Sequence, residues 1–139
     1  MAGFSFDDIE NAFLFVCSAP YGTNTAYLNL KTGEIFYQSE MMGITELDGE
    51  KMAWDQMITI PHKNDLDLGQ SLVFEFVDIN RPDARHQVRH MFTRKGAYGR
   101  FVEFLASNDL LETWYRFENE REQKALRSWC EKNQVPLSD

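Results

Sequence analysis

Three arginines, Arg81, Arg85 and Arg89, stand four residues apart, and His86 and His90 repeat that interval beside them. Residues four apart share a helix face, so three guanidinium groups there could receive a phosphate, a carboxylate cluster or an acidic protein surface. The His pair has the interval of a helical metal site, and His62 could add a third ligand. However, Gln87, Val88 and Arg89 fill the gap without the glutamate base of a zinc protease, and Arg89 repels a cation. Further on, Arg94, Lys95, Gly96 and Arg100 surround a glycine at the start of a new apolar pattern. Backbone N–H groups and the helix dipole favour an anion at such an end. It is not a P-loop, because the spaced glycines followed by Lys and Ser or Thr are missing. Arg85, Arg89, Arg94, Lys95 and Arg100 are therefore the candidate anion-binding residues, and no metal ligand set is assigned. Each feature also has a plainer reading: arginines on a solvated face that pair with acids elsewhere in the fold, and an ordinary joint between helices.

No nucleophile arrangement emerges. Cys17 and Cys130 have no His partner nearby in sequence, and no Ser sits in the glycine-flanked elbow of hydrolases. They read as reduced structural thiols, Cys17 falling in an apolar run where a thiol behaves as a small hydrophobe. Tyr98, Phe101, Trp114, Tyr115 and Phe117 could line a pocket with Glu118 and Arg121 at its mouth, but at helical spacing most of them read as core. Asn64, Asp65 and Asp67 lack the glycine and distal glutamate of a calcium loop and suit helix capping better. No catalytic residue and no cofactor is assigned.

The net charge of −8 is unevenly spread. Residues 1–80 carry three basic and thirteen acidic side chains, whereas 81–107 carry six basic and two acidic. Such a balance repels polyphosphate at long range and disfavours general nucleic-acid binding, while leaving a basic patch suited to an acidic or anionic partner. Acids at Asp7, Asp8 and Glu10 stand where a secretory signal would be basic. The longest apolar run, 12–17, is far short of a membrane span. The expected address is cytoplasmic.

The elements that must position these groups follow from periodicity. With 139 residues and eleven Phe, three Trp and five Tyr, the chain has ample apolar payload for one core, and a single domain over 1–139 is expected. Ser5 before Phe6, Asp7 and Asp8 marks a helix start, and Ile9, Phe13, Val16 and Cys17 give its buried stripe to about Ser18. Alternation over 25–30 puts Ala26, Leu28 and Leu30 on one face, and Tyr27 and Asn29 on the other. Lys31, Thr32 and Gly33 form the turn to a second strand over 34–38. Residues 41–56, with Met41, Met42, Met52 and Trp54, show no clear period and read as a loop holding a short strand or helix. Ile58, Thr59 and Ile60 before Pro61 suit a third strand at a sheet edge.

From His62 the period becomes helical. Asn64 or Asp65 is expected to cap a helix bearing Leu68, Leu72, Val73, Phe76 and Val77. Pro82 opens the next, with Val88, Met91 and Phe92 inward, and Gly96 breaks it. A helix with Phe101, Phe104 and Leu105 ends at a joint around Ser107 and Asn108, before a long final helix. That helix carries Trp114, Phe117, Leu126 and Trp129 and is supported at its middle by Glu120 and Lys124. The fold class is α+β: an N-terminal helix and a small antiparallel sheet over 1–62, packed against about four helices over 63–139.

The run from Tyr27 to Ile35, the Ile60-Pro61 strand end, Gly96-Ala97-Tyr98, Phe101, Phe104, Trp114, Phe117 and Trp129 together resemble the bacterial uncharacterised protein family 0158. The resemblance spans nearly the whole chain. It implies this architecture and a bacterial cytoplasmic origin, and it brings no activity or site residues with it. Gly99 and a lone Arg100 stand where the family is more basic. The residues themselves favour a noncatalytic domain that binds a protein partner or regulates one. The rival is a small anionic-ligand protein, or an enzyme using the 81–100 segment with Glu118 or a His as base. A homodimer surface on the helices stays open.

Overall fold

A computed structural model describes residues 3–46 and 53–138; Met52, part of the aperiodic stretch, lies outside them. The described chain is α+β, with an N-terminal helix, four antiparallel strands and a run of helices that ends in the longest one. It divides into two compact units, residues 1–66 with 123–139, and residues 67–122.

In the first unit, helix α1 spans Phe6–Cys17. Ser5 starts it by accepting the Asp8 N–H on its hydroxyl at 3.1 Å, and Asp7 and Asp8 complement the positive end of the helix dipole. Ile9, Ala12, Phe13 and Val16 form its buried stripe, while Cys17 is half-buried. Strands β1 (Asn24–Asn29), β2 (Ile35–Ser39), β3 (Ile44–Thr45) and β4 (Met57–Thr59) form one sheet in the order β3-β2-β1-β4. The pairing Ala26↔Tyr37 and Leu28↔Ile35 puts these four residues on one face, where Phe15 of α1 meets Tyr37 edge-on at 5.0 Å. Thr25, Tyr27 and Gln38 occupy the opposite face, as the two-residue strand period requires.

Three sequence expectations change here. The sheet has four strands rather than three, because Ile44 and Thr45 in the aperiodic stretch pair with Ser39 and Gln38. Two residues give too short a run for a period to show. Asn29, expected on the open face with Tyr27, is 7% exposed. Its side-chain oxygen accepts the Lys31 and Thr32 N–H groups at 2.9 and 3.0 Å, tying down the hairpin turn that Gly33 completes at φ 81°. Finally, Asn64 and Asp65 cap no long helix. Lys63–Leu66 is a single 3-10 turn in which Asp65 accepts the His62 N–H at 3.0 Å.

The unit is closed by its chain ends. Phe4 forms a parallel bridge with Leu137, donating its N–H to Pro136 and accepting from Ser138, both at 2.8 Å. Its core also takes in Leu28, Ile60, Leu126, Cys130 and Val135.

The second unit begins with helix α2, Gln70–Asn80, whose N-cap is Gly69 with no side-chain cap. A 3-10 turn at Pro82–Ala84 leads into α3 (Arg85–Met91), followed by α4 (Ala97–Ser107) and α5 (Leu111–Lys132), which continues into the first unit. Leu72, Val73, Phe76, Val77, Val88, Phe101, Leu105 and Trp114 form one buried cluster. Trp114 meets Phe101 and Phe76 edge-on at 5.1 and 5.2 Å, the geometry that aromatic quadrupoles favour. Tyr98 and Tyr115, grouped with these aromatics in the sequence, instead lie half exposed.

Candidate functional site

The basic segment is taken apart by its own neighbours. Arg81 lies outside α3, at the junction between α2 and the 3-10 turn, so the three arginines do not continue one helical stripe. Its guanidinium donates to both oxygens of Asp83 at 3.1 and 3.0 Å, and to the Asn108 side-chain oxygen at 2.6 Å. The hydrogen bond from Arg81 holds Asp83 below the usual carboxylate range. Arg85 faces Asp78 at 3.5 Å. Arg100 turns back to donate to the Lys95 carbonyl at 2.7 Å, across the turn that Gly96 makes at φ 77°. Arg89, Arg94 and Lys95 are exposed on α3 and on the joint that follows it. Pairing thus comes from acids close in sequence, because a short helix hairpin brings near neighbours together before it reaches distant ones.

His86 and His90 are both exposed on α3. His62 belongs to the other unit, where it is buried and accepts the Asn64 N–H on Nδ1 at 3.1 Å. Among the described residues no group of three or more His, Cys, Asp or Glu is placed to hold a metal ion.

At the edge of the helical core the aromatics and acids form a polar chain. The Trp114 indole N–H donates to the Tyr98 hydroxyl at 3.2 Å, which donates to Glu118 at 3.3 Å. Burial, and then the Glu118 charge, push the Tyr98 hydroxyl above the usual phenol range against the opposing Trp114 donor. Arg121 lies 4.8 Å over the Phe117 ring and 2.7 Å from Glu75, so an ion pair from this stretch of α5 reaches α2. Trp114 thereby satisfies its indole N–H while burying its ring, as a core tryptophan must.

A different surface gathers groups that the sequence reading left unassigned. On the outer face of the sheet a cleft of about 450 Å³ is lined by Tyr21, Gly22, Thr23, Thr25, Tyr27, Gln38 and Glu40. Tyr21 is 64% exposed, yet its ring is held at both ends: the hydroxyl donates to Asp65 at 3.1 Å, and the ring meets His62 edge-on at 5.2 Å. The hydrogen bond to Asp65 raises the Tyr21 hydroxyl above its ordinary value. Tyr27 is positioned by β1 and by Trp54, whose ring meets it edge-on at 5.5 Å and is 47% exposed. Met41 and Met42, at 71% and 61% exposed, follow Glu40 directly. The signal was present in the sequence as an aromatic, Tyr27, on the polar side of an alternating strand. What it lacked was the register that sets Tyr27 beside Gln38 and the turn that brings Tyr21 over them. A second opening of about 600 Å³, lined by Leu30, Lys31, Gln56, Asn133 and Gln134, offers amides and one amine without a converging charge.

No helix among the described residues is long and apolar enough to cross a membrane. The family model described as "Uncharacterised protein family (UPF0158)" matches residues 18–138, nearly the whole chain, under a description that assigns no activity. No curated protein and no solved structure matches the chain.

Proposed function

We propose that this chain, which belongs to the Uncharacterised protein family (UPF0158), is a noncatalytic protein-binding domain of a bacterial cytoplasm that meets its partner on the outer face of its sheet. One observation carries the reading: Tyr21, Trp54 and the pair Met41 and Met42 are exposed on or beside that face, with Tyr27 half-buried in it. Tyr, Trp and Met are the side chains enriched at the buried centres of protein interfaces, where rigid rings give contact area at small entropic cost. A cluster of them with a polar rim of Thr25, Gln38 and Glu40 matches that composition. The cytoplasmic address rests on the two cysteines, which lie far apart in the sequence and form no disulfide with each other.

The test uses the full chain as bait in bacterial extract, beside Trp54→Ala and Tyr27→Ala, with circular dichroism confirming that both variants stay folded. The reading expects one stoichiometric partner, identified by mass and rebuilt from purified components, to be lost with either variant. Equal capture by all three baits would remove the sheet face as the interface. Turnover abolished by substitution of a single cleft residue would remove the noncatalytic reading.

A second reading keeps Arg85, Arg89, Arg94, Lys95 and Arg100 as a site for a small anion, favoured by the exposure of the Arg89, Arg94 and Lys95 side chains, whose charged ends meet no hydrogen-bond or ion-pair partner among the described residues. Thermal unfolding against phosphates, nucleotides and carboxylates checks it, since a ligand of the native state raises stability by RT ln(1 + [L]/Kd). A saturable shift lost in Arg89→Ala would support it; no shift across the panel would end it.

A further inference from the structure

We propose that the cleft on the outer face of the sheet receives an arginine side chain of the partner, its guanidinium lying against the Tyr21 and Tyr27 rings and paired with Glu40. This deepens the protein-binding reading and rests on it.

The chemistry of the lining selects the ligand. Two tyrosine rings and one carboxylate converge on the cleft, with the hydroxyls of Thr23 and Thr25 and the Gln38 amide beside them. A ring face attracts a cation through its quadrupole, and a planar guanidinium can stack on the ring while its edge still donates N–H groups to a carboxylate. A lysine ammonium is a compact, strongly hydrated point charge and cannot make the stacked and bidentate contacts together. Among the described residues the cleft lining carries no basic side chain.

The site is also built before the ligand arrives. Asp65 takes the Tyr21 hydroxyl proton donor at 3.1 Å while being held itself by the His62 N–H at 3.0 Å, so the outermost ring is fixed although exposed. Trp54 supports Tyr27 from the side. Preset rings reduce the rotamer entropy lost on binding. At about 450 Å³ the cleft admits a guanidinium together with part of the main chain that carries it, within the roughly 300–1000 Å³ usual for ligand clefts.

Charge argues for the same occupant. The residues of this unit carry six basic and twelve acidic side chains, a net charge of −6, and Glu40 and Asp65 stand at the cleft and behind its outer ring. Such a field draws a basic segment and repels an acidic one.

The experiment follows amide chemical shifts of the full chain during titration with Nα-acetyl-arginine amide, Nα-acetyl-lysine amide and Nα-acetyl-norleucine amide. Saturable shifts centred on Thr25, Tyr27 and Gln38 are expected with the arginine probe, weaker ones with lysine and none with norleucine. Glu40→Gln should weaken arginine binding by about tenfold, the loss of one charge-assisted contact. Because Glu40 is exposed, that substitution leaves the fold intact. Equal response to norleucine, binding of lysine as tight as that of arginine, or an unchanged affinity in Glu40→Gln would each overturn the proposal. Sedimentation at the same concentrations supplies a further arm: self-association weakened by Glu40→Gln would put a second copy of the chain on this face and overturn the separate partner. A partner captured through Trp54 and Tyr27 while the arginine probe gives no shift would leave the protein-binding reading standing and remove this one.

Discussion

Cys130 illustrates how little a residue type says before its surroundings are known. The thiol is 1% exposed, and burial pushes it from an ordinary 9.0 up to about 11, against the opposing effect of Arg127. Below pH 9 both the folded and the unfolded thiol keep their proton, and its contribution to stability is constant. Between 9 and 11 the unfolded thiol ionises while the folded one does not, so the unfolded state binds fewer protons and stability falls with rising pH. The urea midpoint of the native chain should therefore decline more steeply over that interval than that of Cys130→Ala, each referred to its own value at pH 8. Parallel slopes would show that the thiol does not titrate in this way. At this scale the sequence led to an expectation of two structural thiols; Cys130 is buried, and Cys17 is half-buried and accepts the Lys63 N–H at 3.3 Å. The sequence reading misplaced Asn29, because strand alternation assumes that a polar residue seeks solvent. Asn29 instead finds two backbone donors in its own turn, which satisfies its oxygen as well as water would.

Elements were legible where a local break has a local cause. Ser5 starts α1 and Gly96 separates α3 from α4 as expected, since a capping hydroxyl and a left-handed backbone act within a few residues. A Cβ placed on Gly96 would meet only the far end of Arg100, at 3.9 Å, so the cost of Gly96→Ala lies in the backbone at φ 77° rather than in crowding. That substitution should lower stability by about 1 kcal/mol, read as a shift in the urea midpoint at unchanged slope. A stabilised variant would mean that the turn relaxes to a right-handed conformation. The start of α2 was not legible. Asp65 has the chemistry of a cap, but it is already engaged by His62 and Tyr21, and a positive φ of 56° at Asp67 turns the chain before the helix begins at Gln70. The middle of α5 behaved likewise, with Arg121 reaching Glu75 on another helix.

For the whole molecule we propose that the 139 residues act as a single cooperative domain, as the length and aromatic content led us to expect. Helix α5 runs from residues of one compact unit into residues of the other, so unfolding either unit frays the same helix. Calorimetry should give one transition with equal calorimetric and van't Hoff enthalpies; two resolved transitions would sink the idea. The net charge of −8, the α+β order of elements, the hairpin and the helical faces followed from the sequence by itself, because composition and periodicity are local properties that burial along one chain enforces. Tertiary structure decided that Arg81 reaches Asn108, where the fourth strand pairs, and that Tyr21, Tyr27, Gln38 and Glu40 share one cleft. Those outcomes depend on register and on distances between residues remote in the chain, and a periodicity carries no information about either.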